Sequence, residues 1–476
     1  MHKVCLSLVV LAGLAYAQSW TPLANQPAFS ASQALLLTDG TVMVQALVSG
    51  TGSGQWWKLT PDLNGNYVNG TWTQLASLPS GYGPLYYASA VLPNGDVVIN
   101  GGEYNLGNSP VETKLGAIYN PVANKWKSLA GPTGWTEIGD AQSVVLSNGQ
   151  YMLGNCCTAQ QAILNLSTLT WTITGTGKAD SNSEEGWTLL PDGSVLTVDV
   201  TNAPNTERYI PASGSWMSAG STPVNLEGYF EMGPAILRPD GTVFATGASG
   251  NTAIYTPGSS GQTGTWTAGP VFPVVNGKQL DIADGPAALL PNGDVLCMAS
   301  PAAYKTPAYF YEFDGTNLIS VPGTPNAPHD SSYYGRMLVL PTGQVLLTDG
   351  STDVEVFTGT GQPSPAWAPV IKSAPSSLTP GQTYKISGVL FNGMSQASAY
   401  GDDGQSATNY PLVRITIAST GHVFYCRTSG HSSMAVASPA TVLTHFEVPT
   451  GIETGSGELA VVANGIASAP VAITVN

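Results

Sequence analysis

Carboxylates and phenols recur at one equivalent place along this chain. Nine residues before each of seven turn glycines stand Ala31, Tyr86, Asp140, Glu184, Met232, Asp284 and Tyr334, with Glu185, Glu231 and Tyr333 one position away. If those positions meet, three acids and two tyrosines share one space. Carboxylates held together in a partly dry funnel repel one another, which raises their pKa values or draws in a cation. Flat phenol rings beside them suit stacking on sugars and other hydroxylated ligands. Pairs among Asp140, Glu184 and Asp284 are also candidate groups for a carboxylate-based lyase or glycosidase. Each acid could instead cap its own turn; the shared register favours a common site.

The turns that set this register read Leu37-Thr-Asp-Gly40, Leu92-Pro-Asn-Gly95, Leu146-Ser-Asn-Gly149, Leu190-Pro-Asp-Gly193, Arg238-Pro-Asp-Gly241, Leu290-Pro-Asn-Gly293 and Leu340-Pro-Thr-Gly343. Their glycines lie 44 to 55 residues apart, the period of a repeat array. Each turn joins two apolar runs, and Asn-Gly or Asp-Gly between such runs is a strong hairpin signal because glycine tolerates positive φ. About 20 to 27 residues before six of the turns sits a tryptophan on a short polar strand: Trp20, Trp72, Trp126, Trp171, Trp216 and Trp266, with Leu318 in that place before the seventh. Four strands per repeat make a β-propeller blade. The innermost strands of a propeller line a central channel, and the loops entering them surround its mouth. The sequence therefore predicts a seven-bladed propeller with the acidic, tyrosine-bearing ring at that mouth. A propeller must also close, and the strand around Trp20, which precedes the first hairpin, is expected in the last blade; Trp367 reads as one further outer strand.

Only 9% of the 476 residues are charged, against 55 glycines and 35 prolines, which suits an all-β protein of short strands and tight turns. A net charge of −15 excludes nucleic acid as a partner, since phosphate recognition needs clustered Lys and Arg. Residues 1–17 carry a basic start, an apolar run from Val4 to Leu14 and a small-x-small site at Ala15-Tyr-Ala17. That is the pattern of an export signal cleaved near Ala17; the run is too short to span a bilayer, and no later apolar stretch is long enough. The mature chain is expected to be secreted, periplasmic or at the cell surface. The adjacent Cys156 and Cys157 read as two buried free thiols, because neighbouring side chains on a strand leave opposite faces; a bond between them is the alternative. Cys297 and Cys426 are the remaining cysteines of the mature chain.

The Gly- and Pro-rich stretch up to Pro369 ends the repeats, so the propeller is assigned to 18–369. From Val370 to Asn476, six alternating segments suit an immunoglobulin-like sandwich.

The hairpin, the Gly101-Gly102 pair and the spaced tyrosine and tryptophan of Tyr119-Asn-Pro-Val-Ala-Asn-Lys-Trp126 resemble a degenerate kelch repeat. With the C-terminal segment, the whole resembles the galactose oxidase class of copper radical oxidases, a kelch propeller followed by an early-set domain. The resemblance implies that the same ring would hold copper, through a cysteine cross-linked to a tyrosine, a Tyr-His pair and a histidine of a Tyr-Gly-x-x-x-His motif. Here the cysteine position falls on Ala31, its partner on Tyr86, the pair on Tyr333-Tyr334, and the motif on Tyr400-Gly401 with Gln405 in place of histidine. Two tyrosines remain without nitrogen or sulfur donors, a poor set for Cu(II), so copper is not expected. The resemblance also implies that the polar loop with Asp402, Asp403 and Gln405 reaches over the mouth.

A second arrangement, Cys426, His431 and Met434, imitates a blue-copper loop, but the only upstream histidine of that domain is His422, four residues before the cysteine, and an ordinary strand and loop is the reading adopted. Hydrolase and nucleotide-binding motifs are absent from the sequence. The expectation is a binding or scaffolding module that recognises a carbohydrate or other extracellular polymer, or an extracellular protein, at a site of Tyr86, Asp140, Glu184, Glu231, Asp284, Tyr333, Tyr334, Asp402, Asp403 and Gln405. No cofactor is expected, with calcium left open. An oxidase with an altered metal site, or a carboxylate-based enzyme, is the alternative.

Overall fold

The computed structural model describes residues 18–259 and 262–476; the expected export signal lies outside them. All seven turn glycines adopt φ between 76° and 93°, a conformation that glycine reaches without a side-chain clash. Their N–H groups donate to the carbonyl three residues back over 2.7 to 3.0 Å. Where Asp or Asn precedes the glycine, its side-chain oxygen accepts a backbone N–H two residues on, as Asp39 does from Thr41 at 3.0 Å and Asp192 from Ser194 at 3.1 Å. Local chemistry thus fixes one hairpin per repeat.

Six of the repeats yield separate four-stranded antiparallel sheets in a propeller arrangement. The first runs Ser30–Leu36, Val42–Leu47, Trp56–Thr60 and Thr71–Gln74, from channel to rim. In the sheet that ends the repeats, Arg336–Val339, Val345–Thr348 and Glu355–Thr358 take the N-terminal strand Ser19–Pro22 as their fourth, with Trp20 opposite Phe357. The chain's first described strand therefore closes its last sheet. Against the seven blades expected, the remaining repeat keeps the same meander, Ala287–Leu289, Val295–Pro301, Tyr309–Phe313 and Leu318–Val321, but merged into a seven-stranded sheet.

The outer tryptophans link neighbours: the indole N–H of Trp72 donates to Asn25 O (2.9 Å), Trp126 to Ala76 O (3.0 Å), Trp171 to Ala130 O (2.7 Å) and Trp20 to Pro322 O (2.8 Å). Each indole buries its body between two sheets and satisfies its one donor on the adjoining one. Trp367 departs from the expected strand; it lies in a short 3-10 turn, Pro365–Trp367, with its ring against Gly293, because Pro365 cannot donate to a ladder.

Residues 370–476 build a nine-stranded sheet whose two ends, Val370–Ser373 and Ser377–Leu378, are consecutive in sequence, so the sheet must curl on itself. Ile386, Val413, Phe446 and Val461 fill its own core. This part packs on the hairpin-turn face: Thr428 N donates to Thr38 O (3.1 Å), Gly430 N to Pro93 O (2.7 Å) and Met434 N to Ser147 O (2.9 Å). From there one segment threads the channel. Ser398 and Ala399 pair with Ala288 and Ala287, the Ser406 hydroxyl donates to Ala34 O (3.0 Å), and Leu189 N donates to the Gln396 side chain (2.7 Å).

Two expectations about sulfur are resolved here. Cys156 and Cys157 are joined in a vicinal disulfide rather than held as free thiols. They occupy the turn after Tyr151–Gly154, where the alternation of a strand no longer applies. Cys426 sits in the C-terminal core, whereas His431 bonds Thr444 (2.8 Å) and faces Tyr410; they share no metal-binding cluster among the described residues. Among the described residues no helix is long and apolar enough to cross a membrane.

Candidate functional site

The loops entering the inner strands place four of their seven ninth-position residues around one cavity of about 370 Å³. Tyr86, Asp140, Glu184 and Asp284 line it from four different repeats, joined by Glu231, Tyr333, Asp402 and Asp403. Tyr86, Glu184 and Asp284 share a left-handed backbone, with φ of 53°, 58° and 50°. Such a conformation in non-glycine residues costs on the order of 1 kcal/mol each and clusters at functional sites. Asp402 and Asp403 arrive through the channel from the opposite face, not over the mouth, because the segment that carries them threads the ring.

Two expected residues stand elsewhere. Tyr334 is 43% exposed and stacks on Tyr333 at 4.2 Å, outside the cavity, since the 3-10 turn Ser332–Tyr334 rotates it outward. Gln405 is buried beneath the site: its amide donates to Asp402 O (3.1 Å), while its own carbonyl accepts from Ser89 (2.8 Å) and Gln33 (3.2 Å). It shapes the loop. Ala31 and Met232 are buried apolar members of the ring.

Three lining residues were not anticipated: Glu103, Tyr104 and Tyr304. Glu103 and Tyr104 follow the strand Val97–Asn100, and Tyr304 follows Val295–Pro301. In an antiparallel meander the loop between the second and third strands returns to the same mouth as the loop entering the first. The Gly101-Gly102 pair before Glu103 was the sequence signal that could have led there.

The carboxylates form two triads that share Glu184: Asp140, Glu184 and Asp402, and Glu184, Glu231 and Asp284, each able to bring its oxygens within 4.8 Å of one another. Burial first, then repulsion from Asp402 and Asp140, raises the pKa of Glu184. Asp140 and Asp284 are raised in the same way, Asp140 mainly by burial and Asp402, and Asp284 by burial and Glu231. Asp402 is raised by burial and by its neighbour Asp403. Asp403 is raised by burial, with Arg336 opposing. Glu231 is raised by burial, partly offset by hydrogen bonds that include one from the Tyr304 hydroxyl. Burial likewise pushes the Tyr104 phenol up to about 12.

Arg336 is the nearby cation, yet it forms no ion pair with these acids. Its guanidinium lies 3.5 Å from the Tyr400 ring centroid and donates to Tyr333 O (2.8 Å) and Gly335 O (2.9 Å). Glu185, one position from Glu184, turns away from the cavity and pairs with buried Lys178 at 2.8 Å. The cavity is thus strongly electronegative and lined by oxygen donors, with no imidazole or thiol among its lining residues. Oxygen-only donors suit hard cations such as calcium and do not suit the copper of a radical oxidase.

No family model matches the chain, and no curated protein matches it. Many solved structures share its fold. A fungal alcohol oxidase of the AA5 family, in complex with copper, has a TM-score of 0.54 at 13% identity, over 97% of this chain and 100% of that one. A catalytically inactive virginiamycin B lyase from Staphylococcus aureus with quinupristin has a TM-score of 0.50 at 10% identity, over 72% of this chain and 99% of that one. At such identities the likeness speaks for the propeller fold alone.

Proposed function

We propose that this chain is an exported binding module that recognises a carbohydrate or other hydroxylated extracellular polymer at the channel mouth, without copper radical chemistry. In this reading residues 18–369 form a seven-bladed, kelch-type propeller, the merged sheet supplying the seventh blade, and residues 370–476 form an early-set, immunoglobulin-like domain. Cleavage near Ala17 releases the chain from the exporting cell's membrane. One observation carries the proposal: acids and tyrosines from separate repeats line a single cavity of about 370 Å³, in the size range of small-ligand sites. The carboxylates accept hydrogen bonds from sugar hydroxyls, and Tyr86, Tyr104, Tyr304 and Tyr333 offer ring faces. A glycan array tests this with the intact protein and with the Asp140→Asn, Glu184→Gln double variant. Binding by the parent and loss of at least ten-fold in the variant is expected; equal binding by both would place recognition on another surface.

A second reading is favoured by the spacing within the triads. Oxygens within 4.8 Å allow one acid to hold a proton beside an ionised partner, the equipment of a carboxylate glycosidase or lyase. Turnover of a panel of aryl glycosides and acidic polysaccharides, abolished in Glu184→Gln, would establish it.

A further inference from the structure

The cavity's acids lack the positive charge that their number calls for. Lys178, beside the ring, is committed to Glu185 and Glu207 at 2.8 and 2.9 Å. Arg336 donates from Nη1 to two carbonyls and lays its faces on Tyr400 and Tyr86; it opposes the raised pKa of Asp403 and Asp284 but forms no ion pair with the cavity acids. Meanwhile Asp402, only 3% exposed, and Asp403, 2% exposed, both line the cavity, yet Asp402 Oδ2 and Asp403 Oδ1 have no hydrogen-bond partner. Glu231 Oε2 is also buried without one. A buried carboxylate oxygen without a donor is costly unless something absent from the protein itself satisfies it.

We infer that the channel mouth is a binding site for a divalent hard cation of the calcium class, with Glu184 as the ligand common to its two carboxylate triads. Calcium takes six to eight oxygens at about 2.3–2.6 Å, so two oxygens on opposite sides of one ion stand about 4.6–5.2 Å apart. In each triad the three carboxylates offer oxygens no more than 4.8 Å apart, close enough for one such ion to touch all three. The ligands come from independent segments: Asp140, Glu184, Glu231 and Asp284 from four ring loops, and Asp402 from the threading segment. Binding would therefore tie the C-terminal part to the propeller. Water or ligand hydroxyls complete the shell, for which the cavity has room. The cation would thus present a hydroxylated ligand with a positive centre in an otherwise negative funnel. This last point rests on the proposed binding function; the metal site itself does not.

The test uses the full mature chain stripped with EDTA and passed into chelator-free buffer. Titration calorimetry with calcium chloride, and terbium luminescence excited through the neighbouring tyrosines, read the metal alone. Saturable binding by the parent, weakened at least 100-fold in both Glu184→Gln and Asp402→Asn and unchanged in the turn-surface variant Asp240→Asn, is expected. Two variants on different segments guard against one failing to fold, which circular dichroism checks. No saturable calcium or terbium binding by the stripped parent would overturn the inference, as would parental affinity in folded Glu184→Gln, or binding of a diamine with no response to calcium. Glycan binding measured separately, with and without calcium, distinguishes the two proposals: metal binding without glycan binding sinks the proposed function only, and glycan binding by a protein that takes up no metal sinks this inference only.

Discussion

Replacing Glu184 by Gln in the metal-free protein should stabilise it, although the residue lies at the centre of the site. Glu184 stands in both triads, and two ionised carboxylates no more than 4.8 Å apart repel by about 3.5 kcal/mol or more at an effective dielectric constant of about 20. Partial protonation already relieves some of this, so a gain of about 2–3 kcal/mol is expected at pH 8 from removing one charge while keeping the side-chain volume. For a chain of this size that corresponds to a Tm increase of about 2–3 °C. The pH dependence follows from the direction of the shifts. The folded-state pKa values of Glu184 and its neighbours lie above those of the unfolded chain, so their favourable contribution is present at low pH and is lost as the pH rises. The gain from Glu184→Gln should accordingly be larger at pH 8 than at pH 5. Urea unfolding in EDTA at both values measures it. A destabilised variant at pH 8, or an equal effect at both pH values, would refute the electrostatic reasoning.

Two further outcomes follow from other parts of the molecule. Trp20→Ala should cost about 3 kcal/mol by urea unfolding, because Trp20 packs 4.9 Å from both Phe310 and Phe357 and bonds Pro322 in the strand that closes the ring; a loss below about 1 kcal/mol would contradict that role. Asp199 is fully buried with neither oxygen bonded, and burial pushes it up to about 7. Its folded pKa is raised, so stability is lost as the pH rises through that value, and Asp199→Asn should be more favourable at pH 8 than at pH 5 by on the order of 2 kcal/mol.

What could be read from sequence was what depends on local chemistry. Gly95 or Gly293 demands a positive φ, and that alone fixes a hairpin, its register and the position nine residues earlier. Trp72 and Trp126 mark outer strands because an indole needs an apolar body contact and one acceptor. The gaps arise where the outcome depends on distant parts of the chain. Glu103, Tyr104 and Tyr304 stand on loops of variable length that no fixed count finds. Tyr334 shares the register of the site residues and Gln405 the loop of Asp402 and Asp403, but a 3-10 turn swings the first outward, and contacts with Ser89 and Gln33 pull the second under the floor. The Cys156–Cys157 bond stands as the alternative rather than the adopted reading, because the opposite-face alternation of a strand does not hold in the turn that carries the pair. That Asp402 and Asp403 reach the mouth through the channel depends on pairing between residues 287–288 and 398–399, which lie over a hundred positions apart.

The most direct measurement is a crystal structure of residues 18–476 soaked in calcium, with anomalous data. The account predicts an ion peak at the channel mouth, about 2.3–2.6 Å from oxygens of Glu184 and Asp402 and of at least one of Asp140, Glu231 and Asp284. A mouth in which these carboxylates point apart, or one without a peak at saturating calcium, would contradict it.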